Sequence, residues 1–323
     1  MPKPNLTRSS SVRFLALVLL VALVVAGLRV PRTAYAATQR TWTGAHPPTT
    51  LSNPVNWAGN IAPAAGDDLF FPAGVKRKSI RNNYPNQSSF NAFNFSGSNY
   101  NLRKNSVTLT GGINTSNPTG TNQISLSIQL SGAQAFTSGN SGTTLILNGQ
   151  VNLNANLLTL TGAGNVIGNG VVSGTGGITK NGTGVLTLAA NNTYTGATTL
   201  TAGTLLVNGS QASSDVILIG GILGGTGRIG ALSAPGGALK PGSSAAPGIL
   251  STGNVSLTPT SSFIVDLDGT SPGTGYRQLN VSGTVNLGGS LLDASANFQS
   301  AVGDTFTIIS NDGNDPVVGT FAG

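Results

Sequence analysis

Every acidic residue in this chain is an Asp, and there are nine: Asp67, Asp68, Asp215, Asp266, Asp268, Asp293, Asp304, Asp312 and Asp315. Acid–base catalysis needs two ionisable groups converging on one substrate. The tightest pair is Asp266 and Asp268, in Phe263-Ile-Val265-Asp-Leu267-Asp268. Residues two apart on a strand share a face, so this pair could hold Ca²⁺ or serve a glycosidase. A solvated strand face before the Gly269 turn is the plainer expectation. An EF-type loop would also need a ligand by Ser271 and a Glu further on, and the sequence has no Glu. Asn311-Asp-Gly-Asn-Asp315 offers oxygen ligands too, but Asp-Gly between two apolar runs predicts a hairpin turn. A polysaccharide-cleaving site would have to combine the tail Asp residues with Arg228 or Arg277. It therefore requires Asp266, Asp268, Arg228 and Arg277 to meet in one groove.

The remaining candidates are sparse. His46, the single histidine, lies in Ala45-His-Pro-Pro48 without a Gly-x-Ser-x-Gly nucleophile turn elsewhere, so an exposed loop histidine is expected. Gly225-Thr-Gly227-Arg-Ile-Gly230 fits Gly-x-Gly-x-x-Gly but lacks a following helix pattern and an acidic residue about 20 positions on, so no dinucleotide cofactor is expected. The absence of Cys excludes a disulfide framework, a thiolate zinc site and a cysteine nucleophile. No catalytic, cofactor-binding or metal-ligating residue is assigned, and the chain reads as a non-enzyme. Lys76-Arg77-Lys78 with Arg81 forms one basic cluster, either a solvated loop or a contact for an anionic cell-surface polysaccharide.

The elements that would position these groups begin after an address. Lys3, Arg8 and Arg13 precede an unbroken apolar run from Phe14 to Leu28, short of the roughly 20 residues needed to span a bilayer. Ala34-Tyr-Ala36 follows, so residues 1–36 read as a secretory signal peptide cleaved between Ala36 and Ala37. Five of the 16 basic residues lie in that segment, leaving 11 against nine Asp beyond it. A nucleic-acid partner, which needs clustered Lys and Arg, is not expected.

Beyond residue 36 the apolar residues alternate. Ile124-Ser-Leu126-Ser-Ile128-Gln-Leu130 and Val151-Asn-Leu153-Asn-Ala155-Asn-Leu157 are strictly period two, and Gly, Asn, Ser and Thr clusters separate such runs. This predicts an all-β chain of short strands and tight corners. Nine aromatics fall in residues 42–100, only Phe136 and Tyr194 in 101–262, and five in the tail. A long stretch that folds on small aliphatics needs a thin core, which stacked parallel coils provide. The aromatic-rich start would be an end cap, and a β-sandwich is the structural alternative. From Asn105 to Ser214 the only charged side chain is Lys180. Stacked rows of Asn and Thr can hydrogen-bond where rows of like charge repel, and a turn of about 20 to 24 residues suits such coils. The expected parts are a cap with first turns (37–105), a solenoid (106–265) and C-terminal turns (266–323).

One stretch carries a resemblance. It opens with Gly176-Gly177-Ile-Thr-Lys180, continues through Gly182, Gly184, Leu186 and Leu188, and turns at Asn192-Thr-Tyr194-Thr-Gly196. It closes on Gly203-Thr-Leu205-Leu-Val207. These residues closely resemble the autotransporter-associated β-strand repeat of bacterial passenger domains. Trp42, Asn56-Trp57 and Gly66-Asp67-Asp68 are similar to the usual opening of such proteins, and Tyr276-Arg-Gln-Leu279 and Gly303-Asp304 to their usual descent. The resemblance implies a right-handed, single-stranded parallel β-helix, exported or displayed at the cell surface or outer membrane, acting as stalk, adhesin or scaffold. A polysaccharide-cleaving β-helix enzyme is the alternative. Implied partners are a cell-surface polysaccharide or a host or neighbouring surface, with no small-molecule cofactor. The sequence departs from the family in offering no barrel-like run of strands, and its last residues read as though the chain should continue.

Overall fold

The computed structural model describes residues 37–322. The expected signal segment, with Ala36 on its cleavage boundary, lies outside the described residues; Ala37 is exposed.

Alternation at period two gives each strand one apolar edge, and no single turn can bury that edge alone. The chain solves this by coiling. Leu158–Thr161, Asn165–Gly168 and Val172–Ser173 lie on three successive faces, and Ile178–Lys180 returns to the first. Repetition builds sheets of 16, 11 and 5 strands. Successive strands pair in parallel: Leu158 with Ile178, Ile178 with Thr198, and Thr198 with Val216. The architecture is an all-β parallel solenoid, as the alternation and composition predict, and not two face-packed antiparallel layers. Among the described residues the only helical turns are 3-10 segments at Pro54–Asn56 and Ala58–Asn60.

Rungs vary in length more than expected. The rung from Val285 to its partner Val317 uses twice as much chain as the rung from Val216 to its partner Leu232. Register demands only that each face regain its strand, so the corners absorb the difference. The inward positions stack into columns. Leu158, Ile178, Thr198, Val216, Leu232, Val255 and Val285 follow one another on the first sheet, all buried. Val166, Leu186, Leu205, Leu223, Leu239 and Phe263 do the same on the second. Burying one such aliphatic side chain contributes about 1.5–3 kcal/mol, so a column of them outweighs the loss of any one contact.

The amino-terminal end of this core is closed by rings. Trp42 and Trp57 pack edge to face with centroids 5.1 Å apart, and Trp57 continues to Phe71 at 6.2 Å. Phe71 stacks on Phe95 at 4.7 Å and leans on Tyr100 at 5.4 Å. Trp57 is also anchored by its indole N–H, which donates to Leu51 O at 2.7 Å. Thr49–Leu51 covers the free edge of the second sheet, through Arg81 N to Thr49 O and Leu51 N to Arg81 O, the protection an exposed edge requires. At the other end Val317 and Val318 stay about half exposed.

Trp57→Ala should remove the central ring of this cap at a cost of about 3–5 kcal/mol. Urea unfolding should report that loss, and hydrogen exchange should place the lost protection in residues 39–104 before the later rungs. Uniform loss along the chain would contradict the capping role.

Candidate functional site

The repeat stretch runs through one complete rung and into the next, and its unusual residues act at the corners. Lys180 is inward, not outward. It stands between Leu160 and Leu200 in a column that continues to Leu218, and only 3% of its surface is exposed. Its ammonium donates to Gly182 O in its own rung and to Ala202 O of the next at 3.3 Å. Burial, with no carboxylate anywhere from Asn105 to Ser214, lowers its pKa to about 8. The cation therefore serves as a donor that ties two successive corners together.

Glycines make that approach possible. A Cβ on Gly184 would lie 2.0 Å from Gly164 O. Gly203 has φ +74°, and its Cβ would meet Gly182 O at 2.2 Å. The backbones are stacked so closely here that only hydrogen fits.

Asn192 and Tyr194 mend a gap on the third face. The strands Ile128–Leu130, Val151–Asn152 and Val172–Ser173 stack there, and a new stack starts at Ser210–Gln211. Asn192 links the two, accepting from Val172 N at 2.8 Å through Oδ1 and donating its backbone N–H to Ser210 O at 2.6 Å. Tyr194 is fully buried; its hydroxyl donates to Gln211 Oε1 at 2.9 Å and lies 2.6 Å from Thr198 Oγ1. Thr198, a polar member of its largely aliphatic column, also meets Ser214 Oγ at 3.1 Å. Burial raises the Tyr194 pKa, with the Thr198 and Ser214 hydrogen bonds pulling the other way.

The Asp-based candidates are only partly assembled. Asp266 meets Arg277, through Nε at 2.7 Å and Nη2 at 2.6 Å, and Lys240 at 3.3 Å. Arg277 is 1% exposed and spends Nη1 on the carbonyls of Pro241, Ser243 and Ala246 at 2.6–3.0 Å. Burial works to raise the Asp266 pKa, but Arg277 and Lys240 outweigh it and hold the carboxyl below its usual value. Asp268 takes no part in this cluster and accepts instead from Asn297 at 2.7 Å, and Arg228 lies on the third sheet between Ser210 and Ser251. Two of the four groups needed in one groove thus meet, as a clamp on the Pro241–Ala246 loop.

The other candidates are placed as follows. His46 is exposed, its backbone N–H bonded to Asn56 Oδ1 at 2.8 Å. Within Gly225–Gly230, Gly225–Gly227 joins the strand Ile222–Gly224 to the strand Arg228–Ile229. The expected hairpin at Asn311–Asp315 is corrected. Its turn is closed by Asn311 Nδ2 to Asp315 O at 2.9 Å, but it joins Ile309–Asn311 of the third sheet to Val317–Val318 of the first. Parallel coiling leaves no antiparallel partner for either strand. Among the described residues no group of three or more His, Cys, Asp or Glu could hold a metal.

Sequence reasoning missed Lys240 beside Asp266 and two residues of the basic cluster, Arg103 and Lys104. Arg81 pairs with Arg103 and Asn82 with Lys104 on adjacent strands of the second sheet, so the basic cluster extends one rung further. The signal was the spacing of the two arginines, which falls within the rung length of about 20 to 24 residues that suits such coils.

Two consequences are measurable. Between about pH 8 and the ordinary lysine pKa of 10.5, the unfolded chain holds a proton on Lys180 that the folded chain has lost. Stability therefore rises with pH in that window, until tyrosines whose folded pKa lies above 10.0, Tyr84, Tyr100 and Tyr194, reverse it. The thermal midpoint should climb from pH 8 to pH 10 and stay flat in Lys180→Met; an equal climb in the variant would contradict the assignment. Gly184→Ala should cost about 2–4 kcal/mol in urea unfolding, whereas Gly132→Ala, with nothing within 4 Å of the new methyl, should stay within about 0.5 kcal/mol of the parent.

No helix among the described residues is long and apolar enough to cross a membrane. Comparison with curated proteins finds no match. Residues 178–207 do match a family model, the passenger-associated-transport-repeat. Those residues hold the buried Lys180, the stacked glycines and the Asn192–Tyr194 corner, so the chain carries that passenger-type repeat as an integral segment of a parallel β-solenoid.

Proposed function

We propose that this chain is an exported, non-catalytic, passenger-like solenoid that acts as a stalk, adhesin or scaffold at the bacterial surface. The observation that carries the reading is the repeat at 178–207, set without interruption into a parallel stack. Supporting it are the signal-like residues 1–36 and the long neutral surface from Asn105 to Ser214. A solenoid held by nearest-neighbour rungs adds length by adding rungs, which suits a spacer. The Asp266–Arg277 clamp fits this role, since it binds one loop to another and leaves the guanidinium no free donor edge on that side.

Two excisions test the reading. Removing residues 178–197 takes out one rung of the repeat and leaves Leu158 to pair with Thr198. Removing 216–231 takes out one rung elsewhere and leaves Thr198 to pair with Leu232. Both shorten the rod equally. The parent should be protease-accessible on intact cells or in the medium, with a mature amino terminus at Ala37, and only the first excision should reduce that fraction. Retention of the parent inside the cell, or equal surface fractions for the two excisions, would contradict the proposal.

A further inference from the structure

We propose that the basic strip centred on Arg81 and Arg103 is a docking surface for a linear acidic polysaccharide. The two residues are register partners on adjacent parallel strands, which lie about 4.8 Å apart. Both are exposed, while Ile80 and Leu102 beside them point inward and are fully buried. Like charges placed directly across a ladder destabilise a sheet. The three ion pairs of the described residues are Arg40–Asp67, Lys240–Asp266 and Arg277–Asp266, so no carboxylate of the described fold offsets this repulsion. The two nearest carboxylates in sequence are engaged elsewhere: Asp67 by Arg40 at 2.8 Å, and Asp68 by Asn91 at 2.8 Å.

The rest of the face shows that the charges are not needed for stacking. Continuing the register from Leu102–Ile124 through Ile124–Leu147 and Leu147–Gly168 places Ser125, Asn148 and Asn169 next in the same column. Asn169 donates to Asn148 Oδ1 at 2.9 Å, and Asn148 reaches Ser125 Oγ at 3.4 Å. A neutral residue at 81 and 103 would therefore continue an existing hydroxyl and amide ladder. The cost of two arginines in register is understandable when an outside anion supplies the missing partner. Charge is also segregated along the chain. Residues 37–104 hold seven basic groups and two Asp, whereas residues 215–323 hold three basic groups and seven Asp.

The column itself selects the partner. Two guanidiniums one rung apart suit carboxylate or sulfate groups, which Arg can grip in bidentate fashion. The amides that follow along the axis suit hydroxyls, so an extended chain carrying both fits the length of the strip. Lys104 adds a third exposed charge at its side. Lys76 lines a separate hollow of about 530 Å³ together with Trp42, Pro72 and Arg77. The choice of polysaccharide over nucleic acid rests on the export reading, but the binding itself does not, and the test below uses purified protein.

The experiment measures retention of the full-length secreted protein on alginate and on neutral dextran, with Arg81→Gln/Arg103→Gln and Arg228→Gln as variants. The parent should bind alginate and not dextran. Binding should fade as salt rises from about 0.1 M to about 1 M, which shortens the screening length from about 10 Å to about 3 Å. The double variant should bind about tenfold more weakly, with a thermal midpoint unchanged or raised because the repulsion is gone. Arg228→Gln, on the third sheet, should bind as the parent does. Unchanged alginate affinity in the double variant, equal weakening by Arg228→Gln, retention on dextran, or preference for duplex DNA or anionic phospholipid vesicles would each overturn the proposal. Failure here with surface display intact would leave the passenger reading standing.

Discussion

Backbone hydrogen bonds between one rung and the next set the position of every side chain along the axis of this molecule, and most of its other features follow from that constraint. Parallel pairing in register repeats each residue position at the inter-strand distance. Whatever stands at one rung therefore meets its counterpart above and below. Aliphatic side chains inside gain from this, as in the Val166-to-Phe263 column. Asn and Thr outside gain through hydrogen bonds, and glycines gain where corners must touch. Charges lose, which explains why the long central span from Asn105 to Ser214 carries only one.

That one charge is informative because it is turned inward. An outward lysine would be harmless in a neutral face. Lys180 instead replaces an aliphatic in the Leu160–Leu200–Leu218 column and uses its ammonium on corner carbonyls. Lys180 thus ties the corners between the first and second sheets, while Asn192 and Tyr194 hold the place where the third face changes from one short stack to another. The matched repeat is thus less a separate module than a junction. Its polar residues supply hydrogen bonds at the point where strand pairing alone would lapse.

The sequence made the strand class legible because period-two alternation is local, and it made the cap legible because Trp42, Trp57, Phe71, Phe93, Phe95 and Tyr100 crowd into one short segment. Register between rungs was not legible. The longest rungs use twice the chain of the shortest, as Val285–Val317 does against Val216–Leu232, so no fixed period predicts which residues become neighbours. Arg103 beside Arg81 and Lys240 beside Asp266 depend on that register and escaped notice. The Asn311–Asp315 turn was misjudged for a different reason. Asp-Gly marks a tight corner equally well in a hairpin and in a coil, and only the neighbouring rungs decide which one forms. Lys180 hid its inward position because alternation counts lysine as polar, although its long aliphatic stem can fill a core column.

The most direct measurement of the account is a set of distances down one outward column. The chain has no Cys, so spin labels can be placed in pairs at Thr159 with Ser233, Ser256 or Asn286, positions that follow one another in register on the first sheet. Pulsed EPR should give separations of about 19, 24 and 29 Å, rising by about 4.8 Å per rung although the step from Ser256 to Asn286 uses more chain than the step before it. Distances that scale with separation in sequence, or that fail to rise in equal steps, would contradict a stack of parallel rungs.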